Sequence, residues 1–108
     1  GRSSTKWMDF NFYGHQLVCH EVKELINKNS NDVDGNNIPV PHFGIILDWD
    51  QFHKLSANLQ LKNINFIIEP TIRFKGKVGE QAIMFLHDPS GNAIEFKSFK
   101  NEEDIFKV

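Results

Sequence analysis

The sequence is poor in the features that would place it in several broad classes of protein. Among its 108 residues there is a single cysteine, Cys19. One cysteine cannot form an internal disulfide, which favours a reducing compartment, and we expect a cytoplasmic protein. The 12 Lys and Arg residues do not outnumber the 14 Asp and Glu residues, so the basic field typical of nucleic-acid binding is missing. Because of this charge balance, we expect no nucleic-acid partner. No apolar run is long enough to span a membrane and no secretory signal is visible, so we expect no membrane partner either.

Several catalytic motifs are missing as well. The sequence contains no Gly-rich phosphate-binding loop, no nucleophile elbow and no cysteine cluster of the kind that holds zinc. It does contain ten phenylalanines and two tryptophans, enough bulky apolar material for the core of one small domain. The candidates for function are therefore polar side chains on predicted strands and turns.

The stretch 84–99 has the clearest local signal in the chain. Two apolar-rich runs flank Asp88-Pro89-Ser90-Gly91, in which Asp caps a turn, Pro fixes φ and Gly closes it, so the stretch predicts a β-hairpin. In the returning strand, Ile94 and Phe96 alternate with Glu95. Ile94 and Phe96 fit a face covered by a helix. Glu95 then projects from the opposite face, as a solvated group, an ion-pair partner or a metal ligand.

Periodicity and turn residues predict the other elements. Alternation over 6–22, about a turn at Tyr13-Gly14-His15, predicts an N-terminal hairpin, and the polar residues 27–38 predict a linker loop. Downstream we predict, in order, strand His42–Leu47, a helix Asp50–Leu61 capped by Asp48, strand Ile64–Glu69 stopped by Pro70, a charged loop Arg73–Glu80, strand Gln81–His87, the closing strand and a polar tail over 100–108.

The run Asp-Pro-Ser-Gly-Asn-Ala-Ile-Glu-Phe, residues 88–96, resembles the closing hairpin of the glyoxalase, bleomycin-resistance and extradiol-dioxygenase superfamily (the vicinal oxygen chelate fold). The resemblance implies an α+β fold in which βαβββ modules form a curved mixed sheet around a central hollow. On this basis residues 1–108 form a single glyoxalase-like domain, with a complete βαβββ module over 39–99. Residues 6–26 then match a partial first module, without its opening strand and helix, and 27–38 link the two modules.

The resemblance also implies a divalent metal (Zn, Fe, Mn, Ni or Co) that binds substrate oxygens in the hollow. The positions that match the superfamily's ligands are His42 and Glu95, and Glu95 is also the expected catalytic residue. His20, on the last strand of the partial module, is a third candidate ligand. Without the resemblance, His42 fits an ordinary strand residue, Glu95 a solvated carboxylate paired with Lys97 or Lys75, and His20 a hydrogen-bonded histidine lining a pocket.

Three further side chains are candidates for substrate binding. Arg73 and Lys75 belong to a loop that can fold over the hollow and meet a carboxylate or an enediolate, although a solvated basic loop is the plainer interpretation. Tyr13 offers a phenol that can donate a hydrogen bond to a substrate. His87, just before the closing turn, is a weaker candidate at the edge of the same region.

These residues and the resemblance favour a metal-dependent enzyme, a lyase or dioxygenase that acts on a small oxygenated molecule. The alternative is a metal-free small-molecule-binding module of the bleomycin-resistance kind, although such a binder would not need both His42 and Glu95. A third possibility is an inactive truncated form, because the first module is incomplete. The incomplete module also leaves a sheet edge unpaired, so we expect a homo-oligomer, most simply a dimer.

Overall fold

The computed structural model of the chain describes residues 2–23, 29–33 and 36–107. No helix within these ranges is long and apolar enough to cross a membrane. The elements in chain order are β1 (Trp7–Phe12), β2 (His15–His20), β3 (Asn29–Val33), β4 (Asn36–Val40), β5 (Phe43–Ile46), α1 (Trp49–Gln60), β6 (Phe66–Arg73), β7 (Gln81–His87), β8 (Ala93–Phe99) and a short 3-10 helix (Glu102–Asp104).

The main sheet has four strands in the order β5-β8-β7-β6. Strand β5 runs parallel to β8, whereas β6–β7 and β7–β8 are antiparallel pairs, so the sheet is mixed. The helix α1 connects β5 to β6, which gives the order βαβββ. The predicted α+β fold class is therefore confirmed.

The helix forms where the sequence predicts it, one residue earlier at each end. Asp48 is the N-cap, and its side chain accepts a hydrogen bond of 2.8 Å from the main-chain nitrogen of Gln51. Phe52 is 2% exposed, and Leu55 and Leu59 pack beside it, because the three lie on one face at helical spacing. This apolar face fastens α1 to the sheet.

The two faces of the main sheet bury different clusters. On the helix face, Phe96 packs with Leu47 and Phe52 under α1. On the opposite face, Phe85 forms a cluster with Ala93 and with Ile38 of β4. We call this face of the sheet the β4 face. Because successive residues of β8 alternate between faces, Glu95 lies on the β4 face, opposite Phe96, as the sequence predicts.

The closing turn has the predicted chemistry. The main-chain nitrogen of Gly91 donates to the carbonyl of Asp88 at 3.0 Å, which closes a four-residue turn. The Asp88 carboxylate accepts from the main-chain nitrogens of Ser90 (2.9 Å) and Asn92 (2.8 Å). Gly91 has a φ of +85°, a conformation that favours glycine.

Strands β1 and β2 form the predicted N-terminal hairpin, with Trp7 paired to His20 at one end and Phe12 to His15 at the other. Tyr13 and Gly14 join the strands with φ values of 52° and 85°, as a two-residue type I′ turn requires. The tip contacts the main sheet on its helix face, because the ring centroid of Phe12 lies 5.8 Å from that of Phe96.

The hairpin buries a carboxylate and exposes apolar side chains. Asp9 is 6% exposed, whereas Met8 and Phe10 beside it are 47% and 44% exposed. The Asp9 carboxylate accepts hydrogen bonds from Gln16 Nε2 at 2.9 Å, from Arg2 Nε at 3.4 Å and from the Arg2 main-chain nitrogen. Burial raises the pKa of Asp9, but the hydrogen bonds from Gln16 and Arg2 and the Arg2 charge lower it by more, so the pKa lies below its ordinary value.

The predicted linker over 27–38 contains paired strands in the part that the structure describes. Residues 29–33 (β3) pair antiparallel with 36–40 (β4), rather than forming an irregular loop. The sequence here is polar and rich in turn residues, and local composition therefore favoured a loop. A tertiary contact outweighs that preference, because Ile38 is buried on the β4 face of the main sheet.

Strand β6 is longer than predicted, since Pro70 does not end it. The strand continues to Arg73, and its register with β7 shifts between Ile68 and Thr71, around the proline. Proline lacks a main-chain N–H, and it is tolerated here because β6 is an edge strand with an irregularity at that point. Arg73 is consequently the last residue of a strand and not part of a loop.

The loop after β6 is fastened to the C-terminal residues by carboxylates. Asp104 Oδ2 accepts a hydrogen bond of 2.9 Å from the main-chain nitrogen of Gly79, and its other oxygen lies 3.2 Å from Lys107 Nζ. These contacts, the Gly79 hydrogen bond foremost, lower the pKa of Asp104. Glu80 also joins the two segments, because its Oε2 lies 3.7 Å from Lys100 Nζ while its Oε1 accepts a hydrogen bond of 2.8 Å from the main-chain nitrogen of Gly76 within the loop.

Candidate functional site

Glu95 stands near the middle of the β4 face. In the sheet it is paired with Phe85 of β7 on one side and with Gly44 of β5 on the other. It is half-buried, and within the described residues it forms no ion pair with Lys97 or Lys75. The carboxylate is therefore presented from a rigid central strand without a charged partner in this part of the chain.

His42 lies immediately before β5 and is held on two sides. Its ring packs edge-on against the ring of Phe85, with 4.8 Å between centroids. Its Nδ1 lies 2.9 Å from the main-chain carbonyl oxygen of Pro39. A carbonyl oxygen only accepts hydrogen bonds, so Nδ1 carries the proton and Nε2 of the neutral ring keeps a lone pair. This is the form of histidine that binds a metal through Nε2.

His42 and Glu95 are thus both neighbours of Phe85 on the same face of the sheet. An imidazole nitrogen and a carboxylate form a donor set that suits the divalent ions of the first transition row. Across residues 2–23, 29–33 and 36–107, no three side chains of His, Cys, Asp or Glu come together as a metal-holding group. Within the described chain, two of the three predicted ligands, His42 and Glu95, share Phe85 as a neighbour.

His20, the third predicted ligand, is exposed at the open end of the β1–β2 hairpin. It lies five residues along β2 from His15 at the tip, about 17 Å at the usual strand rise. The tip, and not the open end, carries the contacts of Phe12 with Phe43 and Phe96. The structure does not join His20 to His42 and Glu95.

Tyr13 lies on the helix-face side of the main sheet. Its ring centroid is 6.4 Å from that of Phe96 and 5.7 Å from that of Phe12. Phe96 points to the face opposite Glu95, so Tyr13 and Glu95 approach different sides of β8. The structure does not bring this predicted substrate-binding residue to the carboxylate.

Arg73 and Lys75 lie toward one end of the main sheet. Arg73 pairs with Gln81 at the start of β7, four residues from Phe85 and hence about 13 Å along the strand. The Arg73 guanidinium stands 4.9 Å from the ring centre of Phe74. Lys75 follows in the loop and is exposed. Both residues are thus separated along the sheet from the row that carries Phe85 and Glu95.

His87 lies on the same face of the sheet as the candidate ligands, whereas the sequence indicated only a position at the edge of this region. It pairs with Ala93, and alternation along β7 puts it on the β4 face with Phe85. It is half-buried, and its Nδ1 lies 3.3 Å from the carbonyl oxygen of Gly91. Strand alternation alone predicts that His87 and Phe85 share a face, because the two residues are two positions apart in β7.

Two groups that contact the candidate site were not predicted from the sequence, namely the side chain of Ile38 and the carbonyl group of Pro39. Ile38 is 8% exposed and covers Phe85 beside the candidate ligands. The one sequence signal for it is an isolated isoleucine within a polar stretch, which is too short to define a period. The role of a main-chain carbonyl leaves no signal in the side-chain sequence.

Comparison with solved structures identifies the fold. A crystal structure of a glyoxalase/bleomycin resistance protein/dioxygenase from Alicyclobacillus acidocaldarius superposes on the chain with a TM-score of 0.76 and 28% sequence identity. The match covers 98% of this chain and 76% of that chain. The chain has the fold of this glyoxalase/bleomycin resistance/dioxygenase protein, which supports the superfamily resemblance of residues 88–96. No protein-family model and no curated protein matches the sequence.

The βαβββ module over β5–β8 confirms the resemblance first indicated by residues 88–96. A scaffold of this kind supports several chemistries, so the fold alone assigns no reaction.

Proposed function

We propose that this glyoxalase-superfamily chain is a divalent-metal-dependent enzyme that acts on a small oxygenated molecule. The observation that carries the proposal is the placement of His42 and Glu95 around Phe85 on one face of the sheet. His42 supplies a neutral nitrogen through Nε2, because its Nδ1 is engaged with Pro39. Glu95 supplies the carboxylate and is the proposed catalytic base or acid.

The two donors fit a divalent ion such as Zn, Fe, Mn, Ni or Co, but they do not complete its coordination. Two protein ligands bind such an ion weakly, so further donors must come from substrate oxygens, from water or from another chain. When bound, the ion would act as a Lewis acid that polarises the substrate oxygens. The part of this chain that would take part in this chemistry is Glu95, whose half-buried carboxylate lies on the β4 face beside the buried Phe85.

A second candidate function is a metal-free module that sequesters a small molecule. The observation in its favour is the absence of a third ligand for His42 and Glu95 among the described residues. In this case, binding would rest on apolar contacts with the β4 face, and replacement of Glu95 would leave it intact.

The two candidates are separated by the metal bound at equilibrium, measured by dialysis of purified protein against excess Zn²⁺, Fe²⁺, Mn²⁺, Ni²⁺ or Co²⁺. We expect a stoichiometric ion in the wild-type protein and in the control Glu69→Gln, since Glu69 is an exposed strand residue. We expect its loss in Glu95→Gln. Equal metal content in all three proteins, or none in any of them, would contradict the enzyme proposal.

We further propose that two copies of the chain form a dimer. Strand β5 is an edge strand of the main sheet, paired only with β8 among the described strands, and its Phe43 and Ile46 are 40% and 47% exposed. An unpaired edge that carries apolar side chains is a template for strand pairing, and a second copy presents the same edge. A cytoplasmic location completes the proposal, since the single cysteine is exposed and unpaired.

A further inference from the structure

Strand β4 touches the candidate site in two adjacent residues. Ile38 is buried against Phe85 and Ala93 on the β4 face. The next residue, Pro39, turns its carbonyl oxygen to Nδ1 of His42 at 2.9 Å. The ring of His42 in turn packs on Phe85. Phe85 is therefore the common support of the strand and of the candidate ligand.

This arrangement selects one protonation form of the neutral imidazole. In water the proton of neutral histidine resides mostly on Nε2, which leaves Nδ1 as the acceptor. A carbonyl oxygen against Nδ1 requires a proton on Nδ1 and so reverses that preference. The ring of this exposed residue has a second contact, edge-on with Phe85, besides the one with the Pro39 carbonyl.

We propose that β4 is the positioning element of His42. Ile38, anchored on Phe85, keeps the Pro39 carbonyl against Nδ1, and this contact fixes the tautomer that presents Nε2 to a divalent cation. Ile38 is thus a positioning residue that acts through Pro39 and His42. The part that concerns the cation rests on the proposed function, whereas the tautomer is a property of the metal-free chain.

The tautomer is measured directly by long-range ¹H–¹⁵N correlation NMR of ¹⁵N-histidine-labelled protein. The spectra are recorded about two pH units above the ordinary histidine pKa of about 6.5, so that the rings are neutral. The His42 signals are assigned by their loss in His42→Gln. Assignment is essential because the rings of His53 and His87 also have Nδ1 near carbonyl oxygens, at 2.8 Å and 3.3 Å. The exposed His15 and His20 serve as internal references for the Nε2–H form.

We expect His42 to be Nδ1-protonated in the wild-type protein and to shift toward the Nε2–H form in Ile38→Ala. The matched control is Ile72→Ala, because Ile72 pairs with Ala82 on the helix face and is 38% exposed. Its His42 spectrum should equal that of the wild type. If Ile38→Ala does not fold, Ile38→Val removes less volume and should show a smaller shift in the same direction. An Nε2–H form of His42 in the wild type, or an unchanged tautomer in the folded Ile38 variant, overturns the proposal.

Titration of the same proteins with Zn²⁺ separates this inference from the proposed function. We expect the Zn²⁺ affinity to fall by about 10- to 100-fold in Ile38→Ala and to remain unchanged in Ile72→Ala, as for other outer-shell partners of metal ligands. An Nδ1–H wild-type His42 that binds no Zn²⁺ contradicts the proposed function but supports the positioning by β4. A shifted tautomer with unchanged Zn²⁺ affinity contradicts the role of Ile38 toward the cation.

Discussion

Gly44 lies so close to Glu95 that a Cβ at position 44 would overlap the main-chain carbonyl oxygen of Glu95. The two residues are partners in the parallel β5–β8 pair. The absence of a side chain at position 44 is therefore what lets β5, and His42 just before it, approach the strand that carries the candidate catalytic carboxylate.

Replacement of Gly44 should consequently separate the two strands. We expect Gly44→Ala to lower the free energy of unfolding by about 2 kcal/mol, the range of an overpacked site, as measured by urea denaturation. The control is Gly76→Asn, since Gly76 has open space around it and a φ of +76°, which asparagine tolerates. The free energy of unfolding should fall clearly less in this control than in Gly44→Ala. Equal losses in both variants would show that the close approach to Glu95 has no energetic consequence.

The buried carboxylate of Asp9 should make stability depend on acid. Its pKa in the folded chain is lowered, so its contribution to stability is complete above the unfolded pKa of about 4 and is lost as the pH falls through the folded value. Asp9→Asn should be less stable than the wild type at pH 7. The difference should shrink below about pH 4, when the wild-type carboxyl also takes up a proton. The free energies of unfolding of both proteins would be measured by urea denaturation at each pH. A difference between them that stays constant from pH 7 to pH 2.5 would contradict this role of the Asp9 carboxylate.

The contact between Asp104 and Gly79 should protect the loop that follows β6. Asp104→Ala removes the acceptor of the Gly79 amide, across 25 residues of sequence. We expect faster hydrogen exchange at Gly79 and faster tryptic cleavage at Lys75 and Lys77. Glu103→Ala, at the exposed neighbouring residue, is the matched control and should leave both rates unchanged. Protection that survives in Asp104→Ala would assign the order of the loop to other contacts.

The unpaired edge of β5 should determine the oligomeric state. Light scattering of the wild-type protein should give twice the mass of the chain. Ile46→Lys places a charge on the edge strand and should shift the protein toward the monomer. Val78→Lys, at a position that is 72% exposed in the loop after β6, should remain dimeric. A monomeric wild-type protein contradicts the dimer outright.

The main sheet and helix could be predicted because their signals are local. Asp48 caps α1, the apolar spacing of Phe52, Leu55 and Leu59 defines its buried face, and the chemistry of residues 88–91 defines the closing turn. Alternation in β8 likewise assigned Glu95 to the face away from the helix. Each of these properties depends on residues a few positions apart.

The features that could not be predicted depend on contacts between distant parts of the chain. Strand β4 follows from the burial of Ile38 on Phe85, 47 positions later in the numbering. The direction of Tyr13 is set by the ring of Phe96 and not by the turn that contains it. The separation of Arg73 from Glu95 follows from the β6–β7 register, which the sequence does not specify. The metal ligands came from the resemblance, and their function as ligands stays a prediction.

The central claim is that His42 and Glu95 bind the same divalent ion, and a double-mutant cycle of Zn²⁺ affinity tests it most directly. Calorimetric titrations would compare the wild type, His42→Gln, Glu95→Gln and the double variant, with the exposed His15→Gln as control. If both side chains hold one ion, each single change should lower the affinity at least about tenfold, with the double variant little worse than either. His15→Gln should match the wild type. Wild-type affinity in either single variant, or losses that simply add, would contradict a shared site.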